Sequence, residues 1–285
     1  MTVAIGMLTD QGPLLCTDTQ YTGVSKANRD KILFFTEHFT AACFALTGNE
    51  ANARMAFQES VLAIRAIPEK QRTVDALRRV IRRTIKPIYD QYVTQLPADA
   101  RGMADFDFII ALGAIGEGPG RLFYTEQGAI VEVDRYVCRG TGGYLAEYFL
   151  KSTWRPSIPF NRGVLAAMQA LAVAKEHDAY CGGDSQFASL RSGFTSGLVP
   201  FNVRQTEAII LRYQELANQL IGDVGDLELG DDAFTSLITQ HVENVRALRQ
   251  SIRSHATDWN ELVRALILEN LSQVAEATKQ KKPGS

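Results

Sequence analysis

Strand-like apolar runs come in hairpin pairs along this 285-residue chain, and helical runs come in pairs between them. Residues 3–8 are followed by the turn signal Asp10, Gln11, Gly12 and then by a second strand over 13–17. Residues 31–35 and 40–47 read as two more strands, closed by Gly48, Asn49 and Glu50. Ala53, Phe57, Val61 and Ile64 then recur at helical spacing, and Pro68 stops the run. A second helix is expected over 74–96, kinked at Pro87, with Leu77, Val80, Ile81 and Ile85 opposite Arg78, Arg79, Arg82 and Arg83. Residues 106–112, 121–124, 130–133 and 136–138 return to strand. Helices over 144–151 and 161–177 precede strands at 186–190 and 198–203. Hairpins set between helix pairs predict two antiparallel sheets with helices outside, an α+β four-layer αββα sandwich. A doubly wound parallel sheet is not expected, because its strands come singly between helices.

From Gln205 the pattern turns helical, over 205–220, 231–253 and 257–278, with an acidic linker from Gly222 to Gly230. Trp259, Leu262, Val263, Leu266 and Ile267 give the last helix a wide apolar face that needs a partner surface. A basic tail, 279–285, closes the chain. The expected division is a domain over 1–204 and a C-terminal helical extension over 205–285.

Thirty Lys+Arg against 32 Asp+Glu leave a formal charge of −2, so bulk electrostatics argue for neither nucleic acid nor an anionic membrane. No stretch approaches the ~18 apolar residues of a membrane span. The first residues lack a basic, then long apolar, leader, and a cytoplasmic location is expected. Cys16, Cys43, Cys138 and Cys181 show no metal-type spacing, and His38, His177, His241 and His255 are scattered. No metal or organic cofactor is therefore expected. Phosphate-binding and Gly-x-Ser-x-Gly motifs are absent as well.

That leaves Thr2. Removal of Met1 would free an α-amino group whose ordinary pKa, ~7.7–8.0, suits a general base at neutral pH. A Thr hydroxyl with its own amine as base forms a nucleophile–base pair without histidine. Taken singly, Thr2 is a chain end, Asp18 a turn residue, Lys31 an edge-strand charge, Gly48 a helix-entry turn and Asp178 the end of a helix.

Taken together, Thr2 to Gly6, Thr17 to Gln20, Lys31 to Phe34, Ala45 to Gly48, Gly140 to Gly142 and Asp178 to Gly183 resemble, in order and spacing, the motifs of proteasome β-type subunits. The likeness spans about residues 2–190. It implies an N-terminal nucleophile (Ntn) hydrolase, a threonine peptidase that assembles into rings. By that resemblance Thr2 is the nucleophile, Asp18 orients the lysine, and Lys31 is the cation beside the hydroxyl. Gly48 supplies the oxyanion N–H, and Asp178 is the supporting carboxylate. Thr141 and Cys181 both stand where the family usually has Ser; the thiol is the poorer hydrogen-bond partner. Tyr21, Arg29, Leu46, Glu50 and Arg54 fall near positions that line the family's specificity pocket.

The expected function is thus amide hydrolysis of peptide or unfolded-protein substrates inside a homo-oligomeric ring, after Met1 removal, as in the simpler bacterial relatives of the proteasome. The resemblance leaves any ATPase or adaptor partner unidentified. Two rivals keep the fold: an inactive structural or assembly subunit, and an Ntn amidase acting on small amides.

Overall fold

A computed structural model of the chain describes residues 2–22, 26–38, 40–191, 194–197, 200–225, 229–251 and 253–254. Two five-stranded antiparallel sheets dominate. The first is built from β1 (Ala4–Thr9), β2 (Gly12–Asp18), β10 (Tyr136–Arg139), β11 (Ser185–Arg191) and β12 (Phe194–Gly197), in the order β10-β1-β2-β11-β12. The second runs consecutively through β5 (Ile32–Glu37), β6 (Thr40–Gly48), β7 (Phe106–Ala114), β8 (Arg121–Glu126) and β9 (Ala129–Val133). A small hairpin of β3 (Gln20–Thr22) and β4 (Lys26–Asn28) follows β2.

Alternation along β6 explains the layers. Ala41, Cys43 and Ala45 join Ala4, Leu15, Ile109, Ala111 and Leu190 in the apolar layer between the sheets. Ala42, Phe44 and Leu46 point the other way, into a core shared with α1 (Glu50–Arg65) and α2 (Val74–Tyr89). A strand buried on both faces reads as an unbroken apolar run, which is how Thr40–Thr47 looks in the sequence. On α2, Val74, Leu77, Ile81, Ile85 and Tyr89 are buried at helical spacing. Helices α4 (Gly143–Thr153) and α5 (Phe160–His177) cover the first sheet. The result is the expected αββα sandwich with helices added after it.

Side-chain caps start the helices where the sequence turns. Asn49 Oδ1 accepts the Asn52 N–H at 3.0 Å to open α1, and Thr73 Oγ1 accepts that of Ala76 at 3.2 Å to open α2. The helix expected to reach residue 96 instead ends at Tyr89 and continues as a wider π-turn, Asp90–Thr94. Pro87 offers no N–H to the preceding turn, and the helix widens just beyond it. A short α3 (Ala98–Ala104) leads into β7.

The strand expected over 198–203 is corrected. Among the described residues the last strand is β12, and α6 (Pro200–Gly225) begins at Pro200, with Val203 buried within it. Proline suits a first helical turn, and a short apolar run does not distinguish strand from helix.

The chain divides into two compact units, Met1–Arg204 and Gln205–Ser285. In the second, His241 Nε2 lies 2.9 Å from Asp223 Oδ2, tying α6 to a further helix, α7, over 231–251. The expected helix over 257–278, its Trp259 face, the basic tail and Met1 lie outside the described residues. No described helix is long and apolar enough to cross a membrane. Among the described residues no three His, Cys, Asp or Glu side chains gather as a metal-binding group.

Candidate active site

Three elements of the sandwich bring Thr2, Asp18 and Lys31 together. Thr2 stands two residues before β1, Asp18 ends β2, and Lys31 immediately precedes β5. All three are buried. The Thr2 hydroxyl donates to Asp18 Oδ1 and accepts from Lys31 Nζ at 2.5 Å. Lys31 Nζ also lies 2.8 Å from Asp18 Oδ1 and donates to the Gln20 carbonyl at 2.5 Å.

The Asp18 carboxylate is further held by two backbone donors. Val3 N–H reaches Oδ1 at 3.1 Å and Gly182 N–H reaches Oδ2 at 3.0 Å. Lys31 is fixed along its backbone, its N–H donating to Gln186 Oε1 at 2.8 Å and its carbonyl accepting from Leu46 N–H at 2.9 Å. Burial lowers the Lys31 pKa below the ordinary lysine value, and the charge of Asp18 opposes that shift. The ammonium also sits 4.8 Å from the centroid of the Tyr21 ring. In this dry contact the Lys31 cation favours negative charge on the hydroxyl oxygen, while the Asp18 carboxylate holds the cation and opposes that charge.

A second strip of chain closes over Thr2. Gly142 N–H donates to the Thr2 carbonyl at 3.3 Å, and the Thr141 hydroxyl donates to the same oxygen at 3.4 Å. Gly140 has φ +88°, and a Cβ there would stand 2.1 Å from the Thr2 carbonyl oxygen. Cys181 packs beneath this strip, so close that a Cβ on Gly142 would lie 2.5 Å from its sulfur. Burial, with the charges of Asp18 and Asp178, pushes the Cys181 thiol up to about 12; hydrogen bonds from Gly142 and Thr141 partly offset this.

The remaining expected residues divide. Gly48 ends β6 with φ +80°, and its Cα faces the Asp105 carbonyl so closely that a Cβ would lie 2.3 Å from that oxygen. Asp178 terminates α5, and its carboxylate accepts the Tyr180 N–H at 2.8 Å. Arg29, Glu50 and Arg54 form one cluster, Glu50 standing 3.2 Å from Arg29 Nη1 and 2.7 Å from Arg54 Nε. They line an open depression with Ile32, Phe34 and Phe57. The Tyr21 hydroxyl is buried without a hydrogen-bond partner among the described residues. Leu46 does not join the depression. It is fully buried in the helix-facing core, because the alternation of β6 turns it toward α1 and α2.

Sequence reasoning gave no role to Gln20, Gln186 or the Gly182 N–H. Two of these contacts are backbone groups, which carry no residue-type signal. Gln186 acts from β11, far away in the chain.

Among solved structures the fold matches Anbu (ancestral beta-subunit) from Yersinia bercovieri, at 14% identity and a TM-score of 0.63, covering 78% of this chain and 97% of that one. An Anbu (Gly-1) mutant from Hyphomicrobium sp. strain MC1 matches at 13% identity and 0.64, with 78% and 97% covered. The helical assembly of the Anbu complex from Pseudomonas aeruginosa matches at 13% and 0.65, with 78% and 96% covered. At such identities the likeness establishes fold alone. No curated protein matches the chain. A family model described as proteasome subunit matches residues 2–190, more than half of the chain and all of the Thr2–Asp18–Lys31 constellation. The chain belongs to the proteasome subunit family.

Proposed function

We propose that the chain is a threonine-type endopeptidase whose nucleophile is Thr2, exposed by removal of Met1. The observation that carries this reading is the buried contact of Lys31 Nζ with Thr2 Oγ1, at 2.5 Å, beside Asp18. In the proposed reaction the Thr2 amine takes the hydroxyl proton, directly or through water, as Oγ1 attacks a peptide carbonyl. Lys31 stabilises charge on the attacking oxygen, and Asp18 keeps that lysine charged and oriented. The Gly48 N–H receives the oxyanion. The C–N bond then breaks, the amine leaves with the proton, and water hydrolyses the Thr2 ester. Thr141, Asp178 and Cys181 support the amine side of the site. Tyr21, Arg29, Glu50 and Arg54 border the substrate.

Assembly into a homo-oligomer belongs to the same reading. One structural neighbour is a helical assembly of an Anbu complex, which favours self-association and admits an open helical arrangement beside a closed ring. The test joins two measurements. Intact mass of protein from its native host is expected to show a chain beginning at Thr2. That protein is expected to cleave an unfolded-protein or peptide panel, while Thr2→Ala does not. Retained Met1, or cleavage undiminished in Thr2→Ala, contradicts the proposal.

A further inference from the structure

Where α3 ends and β7 begins, three consecutive carbonyls, those of Met103, Ala104 and Asp105, stand beside the Gly48 turn. Carbonyls at a helix C-terminus lack donors within the helix and need them from elsewhere. Here all three are met from the start of α1. Asn49 Nδ2 donates to the Met103 carbonyl at 3.0 Å, Asn52 Nδ2 to the Ala104 carbonyl at 2.8 Å, and the Asn49 N–H to the Asp105 carbonyl at 2.7 Å. The two asparagines are also joined to each other, Asn49 Oδ1 accepting the Asn52 N–H at 3.0 Å. That last bond is the helix cap. The two amide nitrogens turned toward α3 add nothing to a cap, which uses the oxygen alone.

Gly48 takes its place from the same segment. It pairs with Phe106 in the β6–β7 ladder. At φ +80°, a Cβ on Gly48 would stand 2.3 Å from the Asp105 carbonyl oxygen and 2.9 Å from Phe106 Cα. The glycine backbone therefore lies directly on residues 105–106, and a shift of that segment passes to Gly48 by contact. Gly48 itself is exposed, as a group that meets a substrate has to be.

We propose that Asn49 and Asn52 are positioning residues for the oxyanion donor. Their side-chain amides pin residues 103–105 against the first turn of α1 and so hold the Gly48 N–H where the substrate carbonyl develops its charge. Such a donor has its full effect only when it is fixed in place before the reaction. The catalytic role of Gly48 rests on the proposed function; the hold on its turn does not.

Two variants remove the amide donors while keeping the cap. Asn49→Ser retains a capping oxygen and is too short to reach Met103, and Asn52→Leu keeps the shape without a donor. Thr73→Ala removes the cap of α2, beyond the other end of α1, and controls for lost stability alone. All measurements are made at pH 8, because burial and the charge of Asp105 push the carboxyl of Asp107, the residue after Phe106, up to about 7. On a peptide that wild type cleaves, kcat is expected to fall on the order of tenfold in both asparagine variants with KM within about twofold, and both constants to hold in Thr73→Ala. Hydrogen exchange of the peptide spanning residues 48 and 49, corrected for intrinsic rates, is expected to lose protection on the order of tenfold in the asparagine variants beyond any loss in Thr73→Ala. Unchanged kcat in a folded asparagine variant, or protection equal to that of the control, overturns the proposal. Should one of the two fail to fold, the other decides. Absence of cleavage by wild type contradicts the proposed function instead, and the exchange data still judge the hold on the turn.

Discussion

The Lys31 ammonium lies 2.8 Å from the Asp18 carboxylate with neither side chain exposed to solvent. Two opposite charges removed from water are costly unless their remaining hydrogen-bonding capacity is met. Here it is met by Thr2, Val3 N–H and Gly182 N–H on the carboxylate, and by Thr2 and the Gln20 carbonyl on the ammonium.

Lys31→Met is therefore expected to leave Asp18 buried and uncompensated, with a loss of about 3–5 kcal/mol measured by chemical denaturation. The double variant Lys31→Met, Asp18→Asn is expected to recover much of that loss without recovering Thr2 reactivity. Recovery of reactivity would separate the ion pair from the chemistry.

Gly140 and Gly102 give a matched pair. At Gly140, with φ +88°, a Cβ would strike the Thr2 carbonyl; at Gly102, in α3, it would meet nothing within 4 Å. Gly140→Ala is expected to destabilise by more than about 1 kcal/mol and to displace Thr2. Gly102→Ala is expected to be neutral or to stabilise by up to about 1 kcal/mol. Thermal melts and Thr2 labelling check both.

The Cys181 thiol is buried and pushed up to about 12, so little thiolate forms at neutral pH. Native protein is expected to resist alkylation at Cys181 at pH 7.5, and unfolded protein to react, as read by peptide mapping. Cys181→Ser gives Gly142 and Thr141 a stronger partner and is expected to raise the Thr2 labelling rate a few-fold. A lower rate would show that the sulfur's size matters more than its hydrogen bonds.

Asp107, pushed up to about 7, gives the folded chain a higher proton affinity than the unfolded chain. Its contribution to stability is complete below the ordinary Asp range and falls as pH rises toward 7, where it levels off. Asp107→Asn lacks that titration. The variant's stability relative to wild type is expected to be about 2 kcal/mol higher at pH 8 than at pH 5. Equal differences at both pH values would rule out a buried proton at this position.

The sandwich was legible because its hairpins and helix pairs differ in hydrophobic period, and β6 and β7 carry unbroken apolar runs. Short polar elements were not. The β3–β4 hairpin, with three residues in each strand, lacks an apolar alternation to mark it. Pro200 marked a helix start, but the apolar residues around it read equally as strand. Within the site, the side-chain groups of Thr2, Asp18 and Lys31 stood out as residue types at telling positions. Gly182 N–H and the Gln20 carbonyl did not, since any residue offers the same backbone atoms.

On this reading the buried Lys31 ammonium activates the Thr2 hydroxyl. Incubating the Met1-free chain with a threonine-directed electrophile and mapping the adduct tests it most directly. Modification is expected at Thr2 in wild type and none in Lys31→Ala. Modification elsewhere, or equal modification of Thr2 with and without Lys31, contradicts it.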